Sequence, residues 1–234
     1  MSGIRVLVAG ASIAGPALAH WLHRRGAEVT VVERAPGLRP GGQAVDARGV
    51  AKEVIRRMGL DAAVRAACTD TAGAYTVDAD GNVLETFRAD DHGGDGYISE
   101  IEILRGDLSQ VLYDDTRDGV EYVFGDRIAG LTQDADGVDV VFAGGTRRRF
   151  DLVVGADGLH SALRAMVFGP HERYVRHLGL VLAFYSVPNE FGLDRWLLEY
   201  QEPESGRSAL LRPIQDATRA MAMLSFTAAD FDVD

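Results

Sequence analysis

The sequence predicts an α/β fold, with one parallel sheet flanked by helices and a second, mostly antiparallel sheet. Three observations carry this expectation. First, β-branched residues alternate at Ile4, Val6 and Val8, run into Gly10-Ala-Ser-Ile-Ala-Gly15, and are followed by an amphipathic helix and a second strand, AEVTVVE. Second, DLVVGADGLHSALR at 151–164 gives an apolar strand without alternation, as expected of a central parallel strand covered on both faces, and then a helix. Third, from residue 174 onward RHLGLVLAFYSVP, DRWLLEYQE, RSALLRPI and RAMAMLSF are short strands separated by turn residues. These segments predict a Rossmann-like domain from 1–70 and 101–170, and a β-sheet region, expected to be incomplete, from 71–100 and 171–234.

The first connection reads as a dinucleotide-binding turn. Gly10 permits the tight turn and Gly15 lets the helix pack close to the strand. Ser12, Ile13 and Ala14 lie between them, where free N–H groups at a helix start and the helix dipole receive a pyrophosphate. Ser12 stands where the usual second glycine lets the backbone approach the phosphates, and its hydroxyl can donate a hydrogen bond of its own. Glu33 ends the second strand, where a carboxylate accepts hydrogen bonds from the ribose hydroxyls of an adenosine. A glycine-rich turn alone also reads as a plain strand-to-helix connection. The strand before it, the helix after it and the acid at the end of the next strand weigh for the nucleotide.

Composition agrees with an enzyme that buries a sizeable core: the chain has 234 residues, 47% of them hydrophobic. Its formal charge of −11 disfavours a nucleic-acid or anionic-membrane surface, and the local run Arg147-Arg-Arg149 reads as a solvated strand edge. No apolar run is long enough to span a membrane and the N-terminus enters a core strand directly, so a cytoplasmic protein is expected. Cys68 is the single cysteine, which excludes disulfides and thiolate metal clusters within the chain, and no metal site is expected.

The remaining elements follow in order. HWLHRRG closes the first helix with basic residues and Gly26. After the break at Pro40-Gly41-Gly42, the spacing of Val50, Val54, Ile55 and Met58, then Leu60 and Val64, gives two short helices around Gly59, the first expected from near Ala47. GAYTVDADGNVLETF is a hairpin about Asp80-Gly81-Asn82, and ADDHGGDG after it is a loop. LRGDLSQVLYDDT is a helix with Leu108, Val111 and Leu112 buried, and a strand meander turning at Asp136-Gly137 and Gly144-Gly145 leads to 151.

This arrangement resembles the single-component, FAD-dependent class A aromatic monooxygenases of the para-hydroxybenzoate hydroxylase type, and the resemblance spans essentially the whole chain. Three segments carry it: GASIAG with Glu33-Arg34, LRGDLSQVL with its leading Arg105, and GADGLHSALR with Asp157. They look like the family's adenosine site, its FAD-contacting arginine helix and its Asp-Gly fingerprint for FAD and NADPH handling. The tetracycline-inactivating and polyketide-hydroxylating members are nearest, since Gly41-Gly42-Gln43-Ala44-Val45-Asp46 is similar to a segment that brings an acid to their flavin.

The resemblance implies FAD and NADPH (or NADH) as cofactors, dioxygen as co-substrate, and oxygen transfer through a flavin C4a-hydroperoxide to a small aromatic or polycyclic substrate. It places Arg34 beside the adenosine and Arg39 near NADPH. Several of these residues also have structural readings. Asp46 fits the N-cap of the next helix as well as the flavin, Asp157 fits the cap of the LHSALR helix, and Arg105 fits a surface ion pair. A cation at a helix start opposes the dipole, which favours a ligand for Arg105. His160 reads as solvent-facing or hydrogen-bonded rather than catalytic. No catalytic acid or base is assigned, because the cofactor supplies the difficult chemistry. Phe184, Trp196, Leu198 and Met223 are expected either to line a pocket for a flat polycycle or simply to form core.

The family's third fingerprint, a strand ending in Gly-Asp-Ala before a proline- and glycine-rich turn, is absent, and the chain ends at FTAADFDVD. A fragment, a natural truncation, and half of a split enzyme completed by a second polypeptide are all open. So are two other classes: an NAD-dependent dehydrogenase, which shares the opening turn, and a non-catalytic flavin-binding module.

Overall fold

The computed structural model describes residues 3–94, 96–214 and 216–228. The expectation of an unfinished end rests partly on 229–234, which lie outside the described residues, as does Asp95 of the ADDHGGDG loop. The elements begin with β1 (Arg5–Ala9), α1 (Ala14–Arg24), β2 (Glu28–Glu33), β3 (Ala44–Asp46), α2 (Val50–Met58) and α3 (Asp61–Ala66). There follow β4 (Gly73–Val77), β5 (Val83–Arg88), β6 (Glu102–Leu104), α4 (Arg105–Thr116), β7 (Glu121–Phe124) and β8 (Ile128–Asp134). The rest are β9 (Gly137–Phe142), β10 (Arg147–Phe150), β11 (Leu152–Gly155), α5 (Ala162–Phe168), β12 (Leu180–Pro188), β13 (Trp196–Gln201), β14 (Ser208–Pro213) and β15 (Arg219–Thr227). The mixed α/β class expected from the sequence is the class observed.

The chain divides into two compact units. The first comprises Met1–Gly42, Ile55–Ala67 and Leu104–Arg176; the second comprises Gln43–Val54, Cys68–Ile103 and His177–Asp234.

In the first unit, a four-stranded sheet has the order β11-β1-β2-β7, and every neighbouring pair is parallel. The alternation along β1 sorts its side chains onto two faces. Val6 and Val8 pack with Ala19 of α1 and with Val29 and Val31, whereas Leu7 and Ala9 pack with Val138, Val140, Phe142 and Phe150 of the β8-β9-β10 meander. A helix therefore covers one face and an antiparallel meander the other. Helices α1 and α4 are tied by His20, whose Nδ1 lies 2.6 Å from Asp115 Oδ2 with the imidazole buried.

Strand β11 corrects the expectation of a central strand. Among the described residues it is an edge strand with β1 as its only neighbour, and Leu152 is 45% exposed. The arginine run lies on β10, an edge strand of its sheet, as expected; there Arg148 pairs with Glu121 at 2.8 Å and Arg149 with Asp134 at 2.6 Å and Asp139 at 2.7 Å.

In the second unit, a six-stranded sheet runs β12-β15-β14-β13-β4-β5. It is antiparallel except where β13 pairs parallel with β4. Phe184 and Met223 are cross-strand partners, and the register carries their face through Leu210 to Glu199, which puts neighbouring Leu198 on the opposite face. Trp196 shares the face of Leu198 and stacks on Tyr75 with centroids 4.4 Å apart. The four residues named as one pocket lining thus divide between two faces. Glu102 on β6 accepts two hydrogen bonds from Arg212 of β14, at 2.7 and 2.8 Å, and bonds from the Thr69 and Thr71 hydroxyls.

Candidate dinucleotide site

The site lies at the carboxyl ends of the four parallel strands. Chain order runs from β1 outward to β2 and β7, then returns to β11 on the other side of β1, so the connections diverge between β1 and β11. Such a divergence leaves a crevice at the strand ends, where α/β sheets bind ligands.

The first wall is the turn from β1 into α1. Gly10 has φ +107°, and a Cβ there would strike the Ala156 carbonyl, while a Cβ at Gly15 would strike the Gly10 carbonyl oxygen. Both positions therefore need glycine. No side chain caps α1 and no acid sits in its first turn, so the amides of that turn are left without a side-chain acceptor.

The second wall is the end of β2. Glu33 Oε2 accepts a hydrogen bond from Ala11 N at 3.0 Å and Oε1 one from Ala35 N at 2.9 Å. The carboxylate is thereby fixed in orientation, and its remaining lone pairs can accept two hydroxyls. The third wall is the start of α4. Gly106 donates to the Gly41 carbonyl at 2.7 Å, and a Cβ on Gly106 would run into the Arg39–Gly41 backbone. The glycine break at 41 and 42, with φ of +68° and +88°, is thus wound against this helix start, and Arg105 Nε donates to Ser12 Oγ at 3.3 Å.

The fourth wall joins β11 to α5. Asp157 Oδ2 accepts from Leu163 N at 3.1 Å, while Ser161 Oγ caps the helix by accepting from Arg164 N at 2.9 Å. The other Asp157 oxygen is buried without a hydrogen-bond partner among the described residues. A buried carboxylate oxygen left unsatisfied is costly unless a ligand donates to it.

These walls enclose a cavity of about 180 Å³. Gly10, Ser12, Glu33, Arg34, Arg39, Arg105 and Asp157 all line it, joined by Asp126, Arg127 and His160. The guanidinium groups of Arg34, Arg39 and Arg127 form no hydrogen bond or ion pair with any described residue, and that of Arg105 meets only the Ser12 hydroxyl. Four guanidiniums without a carboxylate partner, in a chain of formal charge −11, make a local demand for an anion. Glycines that admit close backbone approach, an uncapped helix start, unpaired arginines and an orphaned carboxylate oxygen together fit a dinucleotide with its pyrophosphate.

Comparison with known proteins agrees. The profile of the family described as FAD binding domain matches residues 3–230. The chain belongs to this FAD-binding family. It is 47% identical over 234 residues to the uncharacterised protein Rv1260 of Mycobacterium tuberculosis (strain H37Rv), covering 98% of this chain and 61% of that protein. It is 38% identical over 231 residues to a flavin-dependent monooxygenase of an unknown prokaryotic organism, covering 97% and 58%. The crystal structure of tetracycline destructase Tet(55) superposes with a TM-score of 0.87 at 35% identity, over 98% of this chain and 57% of that one. The resemblance to class A FAD monooxygenases read from the three motifs therefore holds, and the chain spans about three fifths of the length of these relatives.

Within this family setting the predicted residues fall into three groups. Seven line the cavity, and Ile13, Ala14 and Gly15 form the adjoining helix start. Asp46 belongs to the second unit, at the end of β3; it pairs with Arg48 at 2.9 Å, and because α2 starts only at Val50, it is not that helix's N-cap. Asp126, Arg127 and His160 were not singled out as ligands. His160 stacks on His171 with centroids 5.3 Å apart. The signal for Asp126 and Arg127 was their place just after β7, a strand that joins the parallel sheet.

Proposed function

We propose that this chain forms the FAD-holding portion of a monooxygenase that oxidises NADPH or NADH and places one atom of dioxygen on an aromatic or polyketide-like small molecule. The observation that carries the reading is the set of unpaired arginines converging with Glu33 and the orphaned Asp157 oxygen on one cavity at the parallel strand ends. In this reading the α1 start and Arg105 hold the pyrophosphate, with Ser12 steadying the guanidinium, and Glu33 accepts the ribose hydroxyls. Asp157 accepts a hydrogen bond from the bound dinucleotide while fixing the α5 start, and Arg34 borders the adenosine. Arg39 faces the nicotinamide donor, and Asp46 is the acid assigned to the flavin. The first unit is the FAD-binding domain and the second the substrate-binding sheet. Bound FAD supplies the two-electron redox chemistry and the activation of oxygen. The protein's part is to position both reactants and exclude water. A polycyclic substrate is favoured because the structurally similar protein Tet(55) is a tetracycline destructase.

Two measurements test this. FAD added to the purified chain should give a perturbed visible flavin band and a saturable titration. Supplied with NADPH and tetracycline under labelled dioxygen, a longer flavin-loaded protein that contains this chain should consume NADPH and give a product heavier by one labelled oxygen atom, whereas the 234-residue chain alone should give little or none. A free-flavin spectrum at every protein concentration defeats the cofactor assignment; flavin binding without labelled product by the longer protein defeats the oxygenase assignment for that substrate.

A further inference from the structure

We infer that Arg127 is a specificity-determining residue for the adenine end of the dinucleotide, an assignment that rests on the FAD reading above. The strand order β11-β1-β2-β7 sets out the ligand in sequence. The pyrophosphate belongs at the β1–α1 turn and the ribose at Glu33 on β2, so the next group outward, the base, reaches the turn that follows β7. That turn is Gly125-Asp126-Arg127, and its backbone is pinned to the ribose wall. Gly125 N donates to the Ala35 carbonyl at 2.8 Å and Asp126 N to the Glu33 carbonyl at 3.2 Å. Asp126 Oδ1 accepts from Arg127 N at 2.8 Å and from Gly144 N at 3.1 Å, and the Arg127 carbonyl accepts from Ala143 N at 2.9 Å.

A turn held at five points thus carries a side chain held at none. Arg127 is exposed and lines the cavity, and its guanidinium has no hydrogen bond or ion pair to any described residue. Arg148 and Arg149 in the neighbouring meander differ, for each is taken up by carboxylates. Adenine is uncharged, so the guanidinium serves it as a planar stacking surface, a role that lysine does not fill. FMN, which lacks the adenylate, meets no part of this residue.

The test is calorimetric titration of the parent chain, Arg127→Ala and Arg127→Lys with FAD, ADP and FMN, with a thermal melt of each variant to confirm folding. Loss of one stacked guanidinium is expected to weaken FAD and ADP alike by about tenfold. FMN affinity should not move, and Arg127→Lys should recover little. Parent-like FAD and ADP binding by Arg127→Ala overturns the assignment. Full rescue by lysine overturns it too, since a simple cation would then suffice. A parent chain that binds neither FAD nor ADP removes the dinucleotide reading, and this assignment with it.

Discussion

Arg105 Nε donates to Ser12 Oγ at 3.3 Å, joining residues 93 positions apart in sequence. The serine in place of the turn's middle glycine is therefore a support for the Arg105 guanidinium, the cation proposed to hold the phosphates. Arg105→Ala should weaken FAD binding by about 1.5–3 kcal/mol, the worth of a hydrogen bond to a charged group. Ser12→Ala should cost less, and a double-mutant cycle on FAD affinity should return a coupling of about 0.5 kcal/mol or more. Strictly additive losses mean the two residues act separately.

Glu33 is expected to affect both stability and binding. Its two oxygens satisfy the Ala11 and Ala35 amides before any ligand arrives. Glu33→Ala should therefore destabilise the ligand-free chain by about 1–3 kcal/mol, the cost of leaving partly buried donors unpaired, as well as weakening FAD binding. Denaturant melts without FAD isolate the first effect. An unchanged melt together with weakened FAD binding assigns Glu33 to the ligand alone.

Gly15→Ala adds a single methyl group, directly against the Gly10 carbonyl. The helix start must move away from β1, at a cost of about 1–3 kcal/mol, and FAD affinity should fall with it. A variant with parent-like midpoint and affinity contradicts this close approach.

Asp157→Asn separates capping from charge. An amide oxygen can still accept from Leu163 N, so stability should stay within about 0.5 kcal/mol of the parent. Stopped-flow reduction of bound flavin by NADPH should nonetheless slow, because an amide NH2, a donor that cannot accept, then replaces the orphaned carboxylate oxygen. Parent-like reduction leaves Asp157 only its role at the helix.

The Glu102–Arg212 pair predicts acid sensitivity in the second unit. Burial pushes the Glu102 carboxyl up, but the Arg212 hydrogen bonds and charge, with the Thr69 and Thr71 hydroxyls, hold it below its usual value of 4.5. A carboxyl lowered on folding stabilises the protein above its unfolded pKa, and that contribution is lost as pH falls through the folded value. Stability should thus decline as pH drops below about 4.5. Glu102→Gln should flatten this decline and cost about 3–5 kcal/mol at neutral pH, because Arg212 is left buried without its counter-charge. Urea melts from pH 3 to pH 7 would decide it; parallel curves for the two proteins reject it.

The sequence makes some of this architecture legible and hides the rest for identifiable reasons. Local periodicity marks β1, α1 and β2, and the glycine requirement at 10 and 15 follows from turn geometry within the same short segment. Arg127 escapes because its turn resembles any other until the parallel register Glu33↔Phe124 sets it beside the end of β2. Apolar composition made β11 look central, yet it does not reveal how many neighbours a strand has. Likewise the parallel pairing of β13 with β4, across more than a hundred residues, leaves no local trace, and alternation could not show that Phe184 and Leu198 face opposite ways. Asp46 looked like a helix cap because the helix was started too early, before Val50.

The four arginines without carboxylate partners have a kinetic consequence. The pyrophosphate is a dianion approaching a chain of formal charge −11, so at a distance it is repelled and only near the cavity mouth is it drawn in. At about 0.01 M salt the screening length is about 30 Å and the repulsion of the whole molecule governs the encounter; at about 0.15 M it is about 8 Å and the local cluster governs. Association of FAD should therefore quicken as salt rises across that interval and slow again towards about 1 M, where the cluster is screened as well. Capture of the cofactor would then be fastest near physiological ionic strength, the reverse of the salt dependence shown by a protein whose overall charge attracts its ligand.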